Sequence, residues 1–182
     1  MGPATVWTIG HSTRSLEEFL ALLQGQNIAL LADVRHFPGS RRHPHFSRIP
    51  LSESLHRASI DYLHFPELGG RRKAQPDSPN TAWRNEAFRG YADYMLTKPF
   101  RDGIERLVDA ARARRTAMMC AEAVWWRCHR ALISDHLKAA GHEVIHILGP
   151  GKLQPHPFTS AALVFDGKLS YGSDQDALPR LL

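Results

Sequence analysis

The alternation of apolar and polar stretches along the chain predicts strands that alternate with helices. Runs rich in apolar, β-branched or aromatic residues predict strands at 5–9, 28–34, 60–65, 116–120 and 143–148. Apolar positions at helical spacing predict helices at 15–25, around 50–55, 88–95, 100–111 and from about Arg127 to Gly141. Because strands and helices alternate, we expect one α/β domain over residues 1–182, with three layers and about five parallel strands in the sheet.

Short local signals refine this prediction at both ends of the chain. Ser15 and Glu18 have the spacing of a capping box at the start of the first helix. Asp166-Gly167 favours a type I′ turn between runs 162–165 and 168–171, which predicts a C-terminal antiparallel hairpin. The segment 149–151, Gly-Pro-Gly, is predicted to end the fifth strand, and residues 71–80 are predicted to form a surface loop.

Composition narrows the class of protein and of ligand. The chain has 182 residues, 43% of them hydrophobic, two cysteines and a formal net charge of +5. It has no uncharged apolar run of about 18 residues that would span a membrane, and two cysteines are too few for a disulfide scaffold. We therefore expect a cytoplasmic protein with no membrane partner, whose excess arginines favour an anionic ligand such as a nucleotide or nucleic acid. The residues indicate neither a cofactor nor an oligomeric state.

Four polar loops follow the predicted strands and meet at one edge of the sheet. They span residues 11–14, 35–42, 67–73 and 121–130. In open parallel sheets, ligands bind beyond the carboxyl ends of the strands. The sequence therefore predicts an active site at this edge.

Cationic and hydroxyl side chains in these loops predict an anion site. The candidate substrate-binding residues are Ser12, Arg35, Ser40, Arg41, His129 and Arg130. Asp33 is placed to neutralise Arg35. Arg130 is predicted in the first turn of a helix, where a cation opposes the helix dipole until an anion binds. Its replacement by Ala is therefore expected to weaken anion binding by about tenfold without lowering stability.

The residues at this edge of the sheet lead to three hypotheses, two for catalysis and one for a binding role without catalysis. In the leading hypothesis Glu122 and His11 exchange protons with a phosphate-bearing substrate. In the second, Cys120 or Cys128 is a nucleophile or redox thiol, in a loop that superficially resembles those of rhodaneses and cysteine phosphatases. That loop differs from both, because it has no glycine, two tryptophans and six residues between Cys120 and Arg127. The third is a nucleic-acid-binding module using basic runs 71–73 and 112–115.

No metal site is predicted. Cys128 and His129 are sequence neighbours, and on a helix their side chains would project apart, which is poor spacing for zinc. Trp125 and Trp126 carry large apolar rings, and at least one of them is expected to pack beneath the loop.

Several separated motifs resemble one known family. They are Thr8-Ile9-Gly10-His11-Ser12, Asp33-Val34-Arg35 with Pro38-Gly39-Ser40-Arg41, Pro66-Glu67-Leu68-Gly69-Gly70, Arg89-Gly90-Tyr91-Ala92, Cys120-Ala121-Glu122, Cys128-His129-Arg130 and His156-Pro157-Phe158-Thr159. In this order they are similar to the signature blocks of domain of unknown function family 488. The resemblance implies a compact bacterial-type α/β domain without an established reaction.

Overall fold

The computed structural model describes residues 1–172 and contains one large sheet, a short hairpin and five helices. The strands of the large sheet are β1 Thr5–Gly10, β2 Leu30–Asp33, β3 Asp61–His64, β4 Thr116–Cys120, β5 Glu143–Gly149 and β6 Lys152–Pro155. The helices are α1 Leu16–Gly25, α2 Arg48–Arg57, α3 Glu86–Tyr94, α4 Lys98–Ala113 and α5 Arg130–Ala139. The single-domain prediction for 1–182 extends beyond the described residues and stays a prediction.

The six strands lie in the order β3-β2-β4-β1-β5-β6. The first five are parallel, and β6 pairs antiparallel with β5. Consecutive strand residues face opposite sides, so that Val6 packs on one face and Trp7 on the other. Helices α1 and α2 cover the face that carries Trp7, and α3, α4 and α5 cover the face that carries Val6. The predicted three-layer α/β fold is confirmed.

The predicted C-terminal hairpin is also confirmed. Strands β7 Leu163–Phe165 and β8 Lys168–Ser170 pair antiparallel. Asp166 and Gly167 between them both have positive φ, at 50° and 73°. A type I′ turn requires positive φ at both central residues, which Asp-Gly adopts at low cost. Within residues 1–172, no helix is long and apolar enough to cross a membrane.

Strand β6 was missed by the sequence pattern. Strand β5 ends at Gly149, as predicted, but Pro150 and Gly151 then form a turn, with Gly151 at φ 65°, that reverses the chain onto the edge of the sheet. Residues 152–155 contain one apolar side chain and a proline, so they lack the pattern of a buried strand. Proline is tolerated at an edge, where one side of the backbone needs no ladder partner.

The start of α5 differs from the prediction in a way that changes the site. The helix begins at Arg130 rather than Arg127, because Trp125–Arg127 forms a separate 3-10 turn. Cys128 follows this turn in extended conformation, with φ −134° and ψ 152°. Cys128 and His129 therefore precede the first helical residue.

A hydrogen-bonded network in the protein interior joins α5 to the C-terminal segment. The Asp135 carboxylate accepts hydrogen bonds from His156 Nε2, the Thr159 amide and hydroxyl, and the Tyr171 hydroxyl. His156 Nδ1 in turn lies 2.8 Å from Nε2 of His146. Asp135, His146 and His156 are all at most 2% exposed. These groups have lost hydration, so the bonds among them are costly to remove.

Asp135→Asn is expected to lower the free energy of unfolding by about 2 kcal/mol, because an amide nitrogen replaces one accepting oxygen and leaves a buried donor unpaired. Chemical denaturation measures the loss. Asp109→Asn is the matched control, since Asp109 is exposed and pairs only with its helix neighbour Arg112. It is expected to change stability by less than about 0.5 kcal/mol. Equal effects of the two substitutions would show that the network does not stabilise the fold.

Candidate active site

The loops that follow the parallel strands meet at one edge of the sheet, as predicted. Pairing between β1 and β4 continues beyond the strands, because the His11 amide donates to the Cys120 carbonyl at 3.0 Å and the Ser12 amide to the Ala121 carbonyl at 2.9 Å. On the other side of β4, the Val34 amide donates to the Met119 carbonyl at 3.0 Å. Three of the predicted loops are thus held side by side by backbone hydrogen bonds.

A cavity of about 380 Å³ lies among these loops, and we call it the edge cavity. Seven of the predicted site residues line it: His11, Arg35, Ser40, Cys120, Glu122, Cys128 and His129. Three do not line it: Ser12, Arg41 and Arg130. A second cavity, of about 390 Å³, lies between α1 and the turn after β5. The second cavity is lined by no histidine or cysteine, so the candidate chemistry is in the edge cavity.

Cys128 has the contacts expected of a reactive thiol. Its Sγ accepts the backbone N–H of Arg130 at 3.4 Å, at the amino end of α5, and lies 3.5 Å from Nδ1 of His129. Burial alone would raise the pKa of this thiol. The Cys120 thiol, the Arg130 guanidinium and the Arg130 amide outweigh burial and lower the pKa below its usual value.

The His129 ring is oriented with a nitrogen lone pair toward Cys128. Its Nε2 lies 3.0 Å from the carbonyl oxygen of Val34. A carbonyl only accepts, so Nε2 carries the proton and Nδ1 is the acceptor that faces the Cys128 sulfur. Burial lowers the pKa of His129, which keeps the ring neutral. Cys128, His129 and the Val34 carbonyl thus have the arrangement that a nucleophile, a base and an orienting group require.

This geometry corrects the predicted divergence of Cys128 and His129. The two side chains do not project apart, because Cys128 is extended and His129 is the residue before the helix. Their contact cannot be read from helical spacing. Among residues 1–172, no group of three or more His, Cys, Asp or Glu side chains is arranged to hold a metal ion.

Cys120 lies at the end of β4, where the sequence placed it, and is 1% exposed. Its thiol donates to the Glu122 carbonyl oxygen, 3.7 Å away. Burial raises the pKa of Cys120, and the neighbouring Cys128 thiol raises it further. The two thiols therefore differ: Cys120 holds its proton and Cys128 is the easier to ionise.

Arg130, which the sequence assigns to substrate binding, is buried and does not line the edge cavity. It is 1% exposed and is among the largest fully buried side chains of the described chain. Its Nη2 donates to the carbonyl oxygens of Glu122 and Ala123, at 3.3 and 3.4 Å. Its Nε and Nη1 are buried without a hydrogen-bond partner. A buried cation with two unpaired N–H groups is costly unless it faces a negative charge.

Arg35 and His11 are held by partners within the protein. The Arg35 guanidinium donates from Nε and Nη2 to the two carboxylate oxygens of Asp33, at 2.9 and 2.7 Å. Asp33 therefore neutralises Arg35, one of the outcomes considered from sequence. Nδ1 of His11 donates to the Ser12 carbonyl, which leaves Nε2 facing Nη1 of Arg35 at 3.5 Å. Burial lowers the pKa of His11 to about 4, so it is a weak base.

The outer part of the edge cavity carries charged side chains that have no ion-pair partner among residues 1–172. Glu122, Arg71 and Arg127 line it and are exposed, and their side chains make no ion pair among residues 1–172. Arg71 has φ 62°, an uncommon conformation for a non-glycine residue. Its guanidinium lies 5.8 Å from the centre of the Phe37 ring, which is 66% exposed. The lining therefore combines two free cations with one free carboxylate.

Sequence reasoning missed several residues of the cavity. Arg71 and Arg127 were not assigned to the site, and neither was Tyr91, whose ring lies 5.0 Å from that of His129. The Tyr91 hydroxyl donates to the Leu68 carbonyl, so this residue packs α3 against the loop after β3. Gly70 approaches His129 closely, since a Cβ there would lie 3.0 Å from Nδ1. Tyr91 and Gly70 were both present in the family-like motifs, which was the available signal.

Fold and site together define a three-layer α/β domain with paired thiols and a histidine at the carboxyl edge of its sheet. The family profile described as domain of unknown function DUF488 matches residues 15–137, and the chain belongs to this family. The match includes both cysteines, His129 and Arg130, whereas His11 lies before it. Comparison with curated proteins and with solved structures gives no match.

Proposed function

We propose that this protein is a thiol-dependent enzyme in which Cys128 is the nucleophile and His129 the general base. The observation that carries the proposal is the contact of the Cys128 sulfur with His129 Nδ1 at 3.5 Å and with the Arg130 amide at 3.4 Å. It develops the thiol alternative drawn from sequence, with the base identified as His129.

The arrangement supports attack by sulfur on an electrophile in the edge cavity. As Cys128 Sγ attacks, its proton passes to Nδ1 of His129, while the Val34 carbonyl holds the ring in place. The buried Arg130 guanidinium stabilises the negative charge on sulfur. The unpaired Nε and Nη1 atoms of Arg130 are consistent with this role, because a thiolate supplies the anion that they lack.

The charges around the cavity favour an anionic substrate. Arg71 and Arg127 are exposed cations in its lining, and Glu122 is the carboxylate among the lining residues. Together with the overall charge of +5, these cations attract an anion toward the thiol. No cofactor is assigned.

Acid/base chemistry on a phosphate-bearing substrate is the second candidate. It is supported by Glu122, which lines the cavity and is exposed to solvent. It is weakened by His11, whose low pKa makes it a poor base, and by Arg35, whose charge is already paired with Asp33. Calorimetric titration with phosphate and nucleotides tests it. This candidate would be favoured if Arg127→Gln loses ligand binding, and if turnover is lost in Glu122→Gln but kept in Cys128→Ser.

A nucleic-acid-binding role has less support, because the two basic runs lie apart. Arg114 and Arg115 precede β4 and therefore lie at the edge of the sheet opposite the cavity. Arg114 pairs with Asp61, and Arg115 stacks on Trp7. Residues 71–73 lie instead in the loop that follows β3. Labelled DNA and RNA at low ionic strength test this role, and it requires association that weakens with added salt.

The proposed thiol chemistry is tested by comparing an anionic alkylating agent with a neutral one. Iodoacetate and iodoacetamide are allowed to react with the wild type, and mass spectrometry locates the adduct. We expect Cys128 to be modified before Cys120. We also expect the ratio of the iodoacetate rate to the iodoacetamide rate to be higher at Cys128 than at a free thiol, and to fall in Arg127→Gln and with added salt. The matched control is Cys120→Ser, in which Cys128 must still react.

Two results would contradict the proposal. One is modification of Cys120 before Cys128. The other is a reactivity of Cys128 no greater than that of a cysteine in the unfolded chain.

A further inference from the structure

The two cysteines form a pair whose members differ in environment. Both residues line the edge cavity and both are buried. They also share surrounding groups. Cys120 Sγ contacts the Glu122 carbonyl, which accepts from Arg130 Nη2, and the Arg130 amide donates to Cys128 Sγ. A single thiol nucleophile does not require a second buried thiol in the same cavity.

We propose that Cys120 is the resolving thiol of a dithiol centre whose substrates are anionic disulfides. This inference rests on the proposed function, because it takes Cys128 as the first nucleophile. It adds a role for Cys120 and a chemical class for the substrate. A disulfide suits the site because its sulfur is a soft electrophile, which thiolates attack by exchange.

The reaction proceeds in two exchanges. Cys128 Sγ attacks one sulfur of the substrate R–S–S–R′, the S–S bond breaks, and R′S⁻ departs with the proton that His129 took from Cys128. This leaves a mixed disulfide between Cys128 and R–S. Cys120 Sγ then attacks Cys128 Sγ and R–S⁻ departs, taking the proton of the Cys120 thiol. The products are two thiols and a Cys120–Cys128 disulfide.

The electrons balance over the cycle. The protein dithiol loses two electrons and two protons, and the substrate disulfide gains them. An external dithiol reductant returns the protein to its starting state. A Cys120–Cys128 disulfide requires the two sulfurs, which line the same cavity, to approach to about 2 Å.

The asymmetry of the two environments supports this order of events. Cys128 sits at the amino end of α5, beside His129 and the Arg130 amide, whereas Cys120 is inside β4 and retains its proton. Attack therefore begins at Cys128. Once Cys128 is in a mixed disulfide, its sulfur is an electrophile in the same cavity as the Cys120 thiol.

The test uses dithiobis(nitrobenzoate), a dianionic aromatic disulfide whose released thiolate is coloured, with intact-mass measurement of the protein. In the wild type we expect two equivalents of coloured thiolate and a protein that has lost two hydrogens and carries no adduct. In Cys120→Ser we expect one rapid equivalent and a stable adduct on Cys128. Cys120→Ala provides a second variant without the added hydroxyl and must give the same result. The oxidised wild type must return to the starting mass with dithiothreitol.

Other outcomes separate this inference from the proposed function. A persistent Cys128 adduct in the wild type would overturn the resolving role of Cys120 and leave the nucleophile in place. Adducts on both cysteines would also overturn the resolving role, because each thiol would then react independently. Absence of reaction at Cys128, with Cys120 modified or not, would overturn both proposals. The Cys128→Ser variant must release no rapid equivalent.

Discussion

Replacing Arg130 with methionine is expected to slow alkylation of Cys128 at neutral pH by at least about tenfold. The substitution removes one charge-assisted interaction of about 1.5 kcal/mol or more, which corresponds to a factor of that size. The guanidinium lowers the pKa of Cys128, so its removal reduces the fraction of thiolate. Methionine keeps a long apolar side chain in the same buried space. Iodoacetamide kinetics, with the adduct located by mass spectrometry, measure the effect.

Stability should respond differently from reactivity. Arg130 is a buried cation with two unpaired N–H atoms, so Arg130→Met is expected to leave the melting temperature unchanged or raise it. Arg130→Ala instead leaves a cavity and is expected to lower the free energy of unfolding by about 2 kcal/mol or more. This replaces the expectation from sequence that Ala would not lower stability, which assumed a side chain outside the core. If Arg130→Met reacts as fast as the wild type, the guanidinium is not the counter-ion of Cys128.

Gly10→Ala is expected to have the largest effect on stability, a loss of about 3 kcal/mol or more. A Cβ at Gly10 would overlap the backbone carbonyl of Glu122 and would lie 3.0 Å from the Ala123 Cα. The backbone after β4 would have to move, and with it the Glu122 carbonyl that accepts from Arg130. Thermal and denaturant unfolding measure the loss, and Cys128 alkylation reports the accompanying disturbance of the site.

Gly25→Ala is the matched control for this substitution. Gly25 is the last residue of α1, and a Cβ there would meet nothing within 4 Å. Alanine in a helix is more stable than glycine by about 0.5–1 kcal/mol, so this variant is expected to unfold at a higher temperature than the wild type. Equal stability of Gly10→Ala and the wild type would show that β1 and the loop after β4 are not in close contact.

The sequence was sufficient to predict the layers of the fold because each depends on local patterning. Leu31 and Ala32, or Met118 and Met119, are consecutive apolar residues that face opposite sides of the sheet, and helices cover both sides. The Ser15–Glu18 capping box is present, with both of its hydrogen bonds formed. Strand β6 depends instead on pairing with the edge of β5, and the sequence of β6 itself does not have the apolar pattern of a strand.

The position of the site was predictable for a related reason, whereas its chemistry was not. Parallel strands bring their carboxyl ends together, so residues as distant as His11 and Cys128 line the same cavity. Whether Cys128 faces His129 depends on the 3-10 turn at Trp125–Arg127, which shifts the start of α5. The turn is fixed by tertiary packing, since Trp125 stacks on His146 at 4.8 Å and donates to Gln154.

Arg130 is a second case in which the chemistry of the site could not be predicted from sequence, here because of the burial of a charged side chain. Arginine is seldom fully buried, so a sequence argument places it at the surface and assigns it to an external anion. In the folded chain it is buried and donates to the carbonyls of Glu122 and Ala123. Arg35 is the converse case, because Asp33 is two residues away and the pairing could be anticipated.

The pH dependence of Cys128 alkylation in the wild type, with the adduct located by mass spectrometry, tests the central claim most directly. The thiolate is the reactive form, so the rate rises with pH and its midpoint reports the pKa of Cys128. The Cys120 thiol, the Arg130 charge and the Arg130 amide predict a midpoint below that of an ordinary thiol, about 8.5, and a higher midpoint in Arg130→Met. A midpoint at or above the ordinary value, unmoved by Arg130→Met, would contradict the assignment of Cys128 as the nucleophile.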